Sequence, residues 1–107
     1  MLPTRRIPTH PGVMLAEEFL NPMAVTQSRL AAHIGVSIQR INEIVRGKRG
    51  VTPDTALLLS AALGTTAEFW VNLQTAHDLA LARAAARSSP KALTGGRRKA
   101  GAAAKKK

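Results

Sequence analysis

The chain has 107 residues, no cysteine and a formal net charge of +10 at neutral pH. The lack of cysteine excludes disulfides and thiolate zinc sites, and no apolar run approaches the length of a membrane span, so we expect a cytoplasmic protein. Residues 1–90 carry nine basic and six acidic side chains, a net charge of +3, whereas residues 91–107 carry seven basic and no acidic side chains. The charge predicts a polyanionic partner, but mainly through the tail.

The chain begins with an arm and a first helix. Residues 1–9 contain two prolines and two arginines and are predicted to be extended. The arginines either reach DNA phosphates or a protein partner, or belong to a frayed terminus. Residues 10–21 are predicted to be helical, because Pro11 suits a first helical turn and apolar residues recur at helical spacing. Asn21 and Pro22 should end this helix.

Residues 27–46 are predicted to form two short helices joined by a tight turn. Thr26 and Ser37 can cap the two helices, and Gly35 can take the left-handed conformation that ends the first one. Apolar residues at helical spacing should lock the helices together: Leu30, Ala31, Ile34, Val36, Ile41, Ile44 and Val45. This pattern is typical of the helix-turn-helix of DNA-binding proteins, whose second helix enters the major groove. An ordinary helical hairpin is the alternative.

The outward-facing side chains of this motif are the candidate DNA contacts. They are Gln27, Ser37, Ile38, Gln39, Arg40, Asn42, Glu43, Arg46, Lys48 and Arg49. Gln39 can pair with adenine, Arg40 can reach guanine or a phosphate, and Ile38 can meet a thymine methyl group. Each of these side chains, taken alone, is also compatible with a solvated surface position.

Four of these residues have a second kind of expected role. Gln27, Lys48 and Arg49 should hold phosphates, at the start of the first helix of the motif and in the loop after the second. Glu43 either accepts a hydrogen bond from cytosine or pairs with the arginine three residues before or after it.

Two further helices follow the motif. Residues 52–54 combine a capping Thr, a Pro and an acidic residue, which predicts the start of a fourth helix. Gly64 should end it. Residues 65–68 are predicted to form a capping box that opens a fifth helix, running to about residue 86. Five helices within residues 10–87 predict one small all-α domain.

The fifth helix, at about residues 66–86, carries two apolar stripes. One stripe can pack on the domain and leave the other for a second copy of the chain. The candidate dimer contacts are Phe69, Trp70, Leu73, His77 and Leu81. Alternatively, Trp70 fills the core of the domain.

Residues 88–107 are poor in bulky apolar side chains and rich in Gly, Ala and Lys. This composition predicts a disordered basic tail. The tail either contacts DNA non-specifically and adds salt-sensitive affinity, or only improves solubility.

Several short motifs carry a family resemblance when taken together and in order. They are HPG at 10–12, EEFL at 17–20, INEIVRGKRG at 41–50, TPDTAL at 52–57 and TTAEFWVNLQ at 65–74. The combination resembles the HigA-type antitoxins, within the Cro/CI-type (lambda repressor-like, XRE) helix-turn-helix family. The resemblance covers about residues 5–85, and the tail departs from it.

The resemblance implies a homodimer that binds a palindromic operator, represses its own operon and works on the nucleoid. It also implies binding and neutralisation of a small RelE-like, mRNA-cleaving toxin (HigB-type) encoded in the same operon. The N-terminal segment and the exposed face of the first helix are candidate docking surfaces for that toxin. The alternatives are a stand-alone repressor without a toxin, and an interaction module that no longer binds DNA.

Catalytic residues, metal ligands, cofactors and a small-molecule ligand are not expected. The three histidines are far apart in sequence and form no ligand motif, and neither a phosphate-binding glycine loop nor a nucleophile motif is present. The sequence therefore argues against an enzyme.

Overall fold

The computed structural model describes residues 7–86 and 88–93, and this part contains helices, turns and loops but no strand. The five helices are α1 (Pro11–Met14, Leu15–Leu20 and Asn21–Met23 in succession), α2 (Gln27–Ile34), α3 (Ile38–Val45), α4 (Pro53–Leu63) and α5 (Ala67–Ala85). The predicted all-α fold with five helices is confirmed.

Two predicted segments fall largely outside the described residues. Arg5 and Arg6 of the expected arm lie outside them, as do residues 94–107 of the expected tail. Residues 88–93 are described, and they are exposed and not helical. The division into arm, domain and tail therefore stays a prediction.

Helix α1 is continuous over residues 11–23, but its middle segment, Leu15–Leu20, is π-helical. The prediction that Pro22 ends the helix is wrong, because the helix continues for one more residue and ends at Ala24. The backbone of Ala24 is left-handed, with a φ of 54°. In a regular α-helix the proline ring clashes with the carbonyl group four residues earlier. The wider turn of the π segment relieves this crowding, because its hydrogen bonds reach back five residues.

The helix-turn-helix forms with the caps that the sequence predicts. The hydroxyl of Thr26 accepts a hydrogen bond from the backbone N–H of Arg29 at 3.0 Å. The hydroxyl of Ser37 likewise accepts from the N–H of Arg40 at 3.0 Å. Gly35 ends α2 with a φ of 80°, a conformation that a residue with a Cβ adopts only at a cost. The turn between α2 and α3 is thus set by local interactions.

The hydrophobic core draws on every helix. Its buried apolar members are Leu15, Leu20, Leu30, Ala31, Ile41, Ile44, Val51, Ala56, Leu59 and Trp70. The core lies beneath α2 and α3, and α1, α4 and the first turns of α5 close it. This packing leaves the opposite face of α3 to the solvent.

Trp70 is the largest buried side chain, and 0% of it is exposed. Its ring packs against Phe19 and Phe69, with centroid distances of 5.4 and 5.1 Å. Its indole N–H donates to the hydroxyl of Thr65 at 2.7 Å. The expectation that Trp70 contacts a second chain is therefore wrong, because no part of its surface is left for a partner.

The start of α5 differs from the predicted capping box by one residue. The hydroxyl of Thr66, not that of Thr65, caps the helix by accepting from the N–H of Phe69 at 3.1 Å. The Thr65 hydroxyl instead satisfies the buried indole of Trp70. The sequence signal was ambiguous because two threonines stand side by side.

Among the described residues, no helix combines the length and the hydropathy that crossing a bilayer requires.

Candidate nucleic-acid interface

Helix α3 turns a polar face away from the core. Ile41 and Ile44 are buried, and Gln39, Asn42, Glu43 and Arg46 lie on the other side of the helix at i, i+3, i+4 and i+7. This face has the size and shape of a recognition helix, because a major groove admits one α-helix.

Three residues at the start of α3 border this face. Ser37 caps the helix, and Ile38 next to it has 54% of its surface exposed, which suits contact with a thymine methyl group. Arg40 is half-buried and lies at the edge of the polar face, next to the buried side of the helix. This position suits a phosphate more than a base edge at the centre of the groove.

A side-chain hydrogen bond joins the two helices of the motif. The Nδ2 atom of Asn42 in α3 donates to Oε1 of Gln27 in α2 at 3.1 Å. The carbonyl end of the Gln27 amide is therefore engaged, and its Nε2 group is the end that can donate to a phosphate. Gln27 stands in the first turn of α2, where backbone N–H groups also favour an anion. The structure thus supports the expected phosphate position.

Glu43 has a partner that the sequence did not predict. Its Oε1 accepts from Nε of Arg49 at 2.8 Å and also lies 2.8 Å from Nη2 of the same guanidinium. Its Oε2 accepts from Nε2 of Gln39 at 3.3 Å. The expected pairing with Arg40 or Arg46 is therefore wrong, because the loop after α3 folds back and brings Arg49 closer.

The same ion pair changes the position of Arg49, which we expected to hold a phosphate. Its guanidinium is bonded within the chain, although about half of the side chain is exposed. The hydrogen bond from Arg49 lowers the pKa of Glu43, so that this carboxyl group is ionised at neutral pH.

The loop after α3 is held from two sides. The backbone N–H groups of Lys48 and Arg49 donate to the carbonyl oxygen of Glu43 at 2.8 and 3.2 Å. On the far side of the loop, the N–H of Val51 donates to Oε1 of Gln74 in α5 at 2.7 Å. Lys48 is exposed on this loop, at the place where a phosphate backbone would pass.

Gln74 is a residue that sequence reasoning missed. Besides accepting from Val51, its amide donates to Asp78 one turn later at 2.9 Å. A polar residue on an otherwise apolar helix is the only sequence signal for this role, and it does not identify the partner 23 positions away.

The charges of this surface favour a polyanion. Arg40, Arg46 and Lys48 surround the exposed face of α3, and its one carboxylate, Glu43, is compensated by Arg49. Basic groups around a protruding helix attract a phosphate backbone, and amide groups at the centre can bind base edges. The arrangement can bind DNA, and among the described residues no three acidic or histidine side chains converge on a metal position.

The candidate dimer residues other than Trp70 are distributed along α5. Phe69, Leu73 and His77 are half-buried, and Leu81 has 47% of its surface exposed. Leu79, which we did not single out, is exposed to 46%. The second half of α5 thus extends past the core and carries exposed apolar residues.

The N-terminal residues dock on α5 through two histidines. The rings of His10 and His77 meet edge to face at 5.0 Å, and Nδ1 of His77 lies 2.7 Å from the carbonyl oxygen of Pro8. Nδ1 of His10 accepts the N–H of Gly12 at 2.8 Å and caps α1. Burial, followed by the charge of His77, lowers the pKa of His10, and Asp78 opposes this shift. The sequence distance between the two histidines hid this contact.

Comparison with known proteins identifies the same motif. Residues 17–70 match a family model described as helix-turn-helix (HTH_3). Virulence-associated protein I of Dichelobacter nodosus is 52% identical over 73 residues, which cover 68% of this chain and 68% of that protein. Antitoxin HigA-1 of Vibrio cholerae is 45% identical over 80 residues, which cover 74% of each protein.

A solved structure gives the similarity in three dimensions. The Pseudomonas aeruginosa antitoxin HigA, solved with the higBA promoter, matches with a TM-score of 0.71 and 42% sequence identity. The match covers 73% of this chain and 85% of that one.

Proposed function

This chain belongs to the HTH_3 helix-turn-helix family, among the HigA-type antitoxins, and we propose that it is an antitoxin and autorepressor with two binding activities. As a homodimer it binds a palindromic operator, and by direct protein contact it neutralises a RelE-like, mRNA-cleaving toxin of the HigB type. The family is one of DNA-binding regulators, so the chain is not an enzyme.

The exposed face of α3 is the observation that carries the DNA activity. Gln39 and Asn42 present amide groups there, and Arg46 and Lys48 add positive charge beside them. The hydrogen bond between Asn42 and Gln27 supports a fixed orientation of α3 relative to the first turn of α2. Base edges and phosphates are thus met by one rigid unit. The relative from P. aeruginosa was solved with promoter DNA, which supports the same use of this surface.

The second half of α5 supports the homodimer. Leu73, His77 and Leu81 share one face of this helix, and the small residues Ala76 and Ala80 lie between them. Small residues allow two helices to approach closely, and the exposed leucine adds apolar area. A two-fold axis through this face would place two α3 helices about 34 Å apart, on half-sites one turn of DNA apart.

Two matched leucine variants test the dimer face. Leu81 and Leu79 are equally exposed, at 47% and 46%, but they lie on opposite sides of α5. Leu81→Asp should convert the dimer to a monomer in light scattering coupled to size exclusion, whereas Leu79→Asp should leave it dimeric. The opposite result would assign the dimer to the other face of α5, and a monomeric wild type would contradict the homodimer.

The toxin activity is tested by co-purification. The tagged chain is expressed from a genomic fragment that carries its neighbouring reading frames, and the complex is purified and identified. We expect a stoichiometric small partner that arrests growth when it is expressed alone. A clean, partner-free chain that still binds its upstream DNA would contradict the antitoxin activity and leave a stand-alone repressor.

A further inference from the structure

Glu43 is an acidic side chain in the middle of a surface that we assign to DNA. It lies on the exposed face of α3, one turn after Gln39. A carboxylate here faces phosphates of the same charge, which weakens binding to any DNA unless the group has another role. Its contacts indicate what that role is.

The two oxygens of Glu43 hold two different parts of the interface. One oxygen binds the guanidinium of Arg49 through contacts of 2.8 Å from Nε and Nη2. The other accepts from the amide nitrogen of Gln39 at 3.3 Å. Glu43 therefore occupies the charge of Arg49 and at the same time determines which end of the Gln39 amide is turned outward.

The loop does not need this carboxylate to keep its fold. The N–H groups of Lys48 and Arg49 bond to the backbone carbonyl oxygen of Glu43, and Gln74 holds Val51 from the other side. The side chain of Glu43 can thus be changed while the backbone bonds of the loop remain. This separates the effect of the carboxylate on binding from an effect on folding.

We propose that Glu43 is a positioning residue that sets the preference of this protein for its operator over other DNA. It does so by withholding Arg49 from phosphates and by orienting Gln39 for a base edge. The inference rests on the proposed binding of operator DNA through α3.

Specific and non-specific binding depend differently on these two contacts. Binding to arbitrary DNA comes almost wholly from phosphate contacts, so an arginine occupied by Glu43 is one contact fewer. Binding to the operator also uses base edges, and there the oriented amide of Gln39 compensates for the missing phosphate contact. The carboxylate therefore lowers non-specific affinity more than operator affinity.

The test compares Glu43→Gln with Glu17→Gln in the full chain. Glu17 is an exposed acidic residue of α1, so both variants raise the net charge by the same amount. A glutamine at position 43 keeps an acceptor for Gln39 but removes the charge that holds Arg49. Two duplexes of equal length are titrated over a range of salt concentrations: the region upstream of this chain's own reading frame, and a scrambled version of it.

We expect Glu43→Gln to bind the scrambled duplex about fivefold more tightly, and its plot of log affinity against log salt to steepen by about one unit. The ratio of operator to scrambled affinity should fall about fivefold in consequence. Glu17→Gln should change neither the slope nor the ratio. Adding Arg49→Ala to Glu43→Gln should return the slope towards that of the wild type, because Arg49 is the residue that Glu43 releases.

Two outcomes overturn the inference, and they differ from a failure of the proposed function. An unchanged slope and ratio in Glu43→Gln, with a wild type that prefers its upstream DNA, overturns the role of Glu43 alone. Equal slopes in Glu43→Gln and in the double variant do the same, because the gain would not come from Arg49. A wild type that binds the two duplexes equally contradicts operator binding itself, and the inference with it.

Discussion

Gly12 of α1 lies against the backbone of Ile44 in α3, so closely that a Cβ atom built on Gly12 would overlap the Ile44 carbonyl oxygen. No side chain separates the two helices at this crossing. Gly12 is buried, and Ile44 belongs to the core. The angle at which α3 presents its polar face therefore depends on a glycine on a different helix.

Gly12→Ala should destabilise the domain by about 3 kcal/mol, because the added methyl group meets rigid backbone and forces α1 away from α3. Chemical denaturation measures the loss. Gly50→Ala is the matched control, since its Cβ would meet only the end of the Gln74 side chain, at 3.0 Å. A loss in Gly12→Ala no larger than in Gly50→Ala would contradict the close crossing.

Thr65→Val should destabilise the protein by about 1–3 kcal/mol, because it removes the only hydrogen-bond acceptor that the described residues offer the buried indole of Trp70. Thr65→Ser keeps the hydroxyl group and should stay close to the wild type. The chain has one tryptophan, so its fluorescence reports both the unfolding transition and the environment of the indole. Equal stability of the two variants would count against this hydrogen bond.

The stability should fall on acidification from about pH 7.5 to about pH 5.5, and His10 should account for part of the fall. The pKa of His10 is lowered in the folded chain by burial and by His77, against the effect of Asp78. As the pH drops through the ordinary histidine range, near 6.5, the unfolded chain therefore binds a proton before the folded one does, and the free energy of unfolding decreases. Protonation also removes the Nδ1 acceptor that caps α1.

His10→Asn tests this dependence, because asparagine can also cap a helix but does not titrate in this range. Urea unfolding at the two pH values should show a smaller difference for the variant than for the wild type. If both proteins lose the same stability on acidification, His10 is not the responsible group.

Arg40→Ala should weaken operator binding by about 1–3 kcal/mol without unfolding the domain. Since Arg40 lies half-buried at the edge of the polar face, we expect it to contact a phosphate, and the loss should then be similar on operator and scrambled DNA. Gln39→Ala should instead lose affinity mainly on the operator. Gel shifts with both duplexes separate the two cases, and unchanged affinity in Arg40→Ala would remove this residue from the interface.

Deleting residues 91–107 should make DNA affinity less sensitive to salt, because the segment contributes seven basic side chains. Replacing those seven residues by glutamine in the full-length chain should have the same effect and controls for length. Identical salt slopes for the shortened and complete chains would show that the tail does not contact DNA.

The start and end of most helices followed from the sequence because they depend on neighbours within a few residues. Thr26 and Ser37 cap their helices through hydroxyl groups that reach a backbone N–H three residues later. Gly35 ends α2 through its own backbone conformation. The apolar spacing likewise placed Ile41 and Ile44 inward and thereby turned the polar face of α3 outward.

The contacts that complete the interface were decided only by the tertiary structure. Asn42 meets Gln27 across 15 positions, and Gln74 meets Val51 across 23. Such pairs depend on the angles at which helices cross, and these angles are set by close contacts such as that of Gly12 with α3.

Trp70 and Glu43 show the same limit from two sides. The sequence offered two apolar stripes on α5, and only the packing of the core against Phe19 determined that Trp70 points inward. Helical periodicity offered Glu43 two arginines on its own helix, whereas the fold of the following loop brought Arg49 closer. Local chemistry thus determined the helices and their outward faces. The path of the chain between the helices decided which side chains meet.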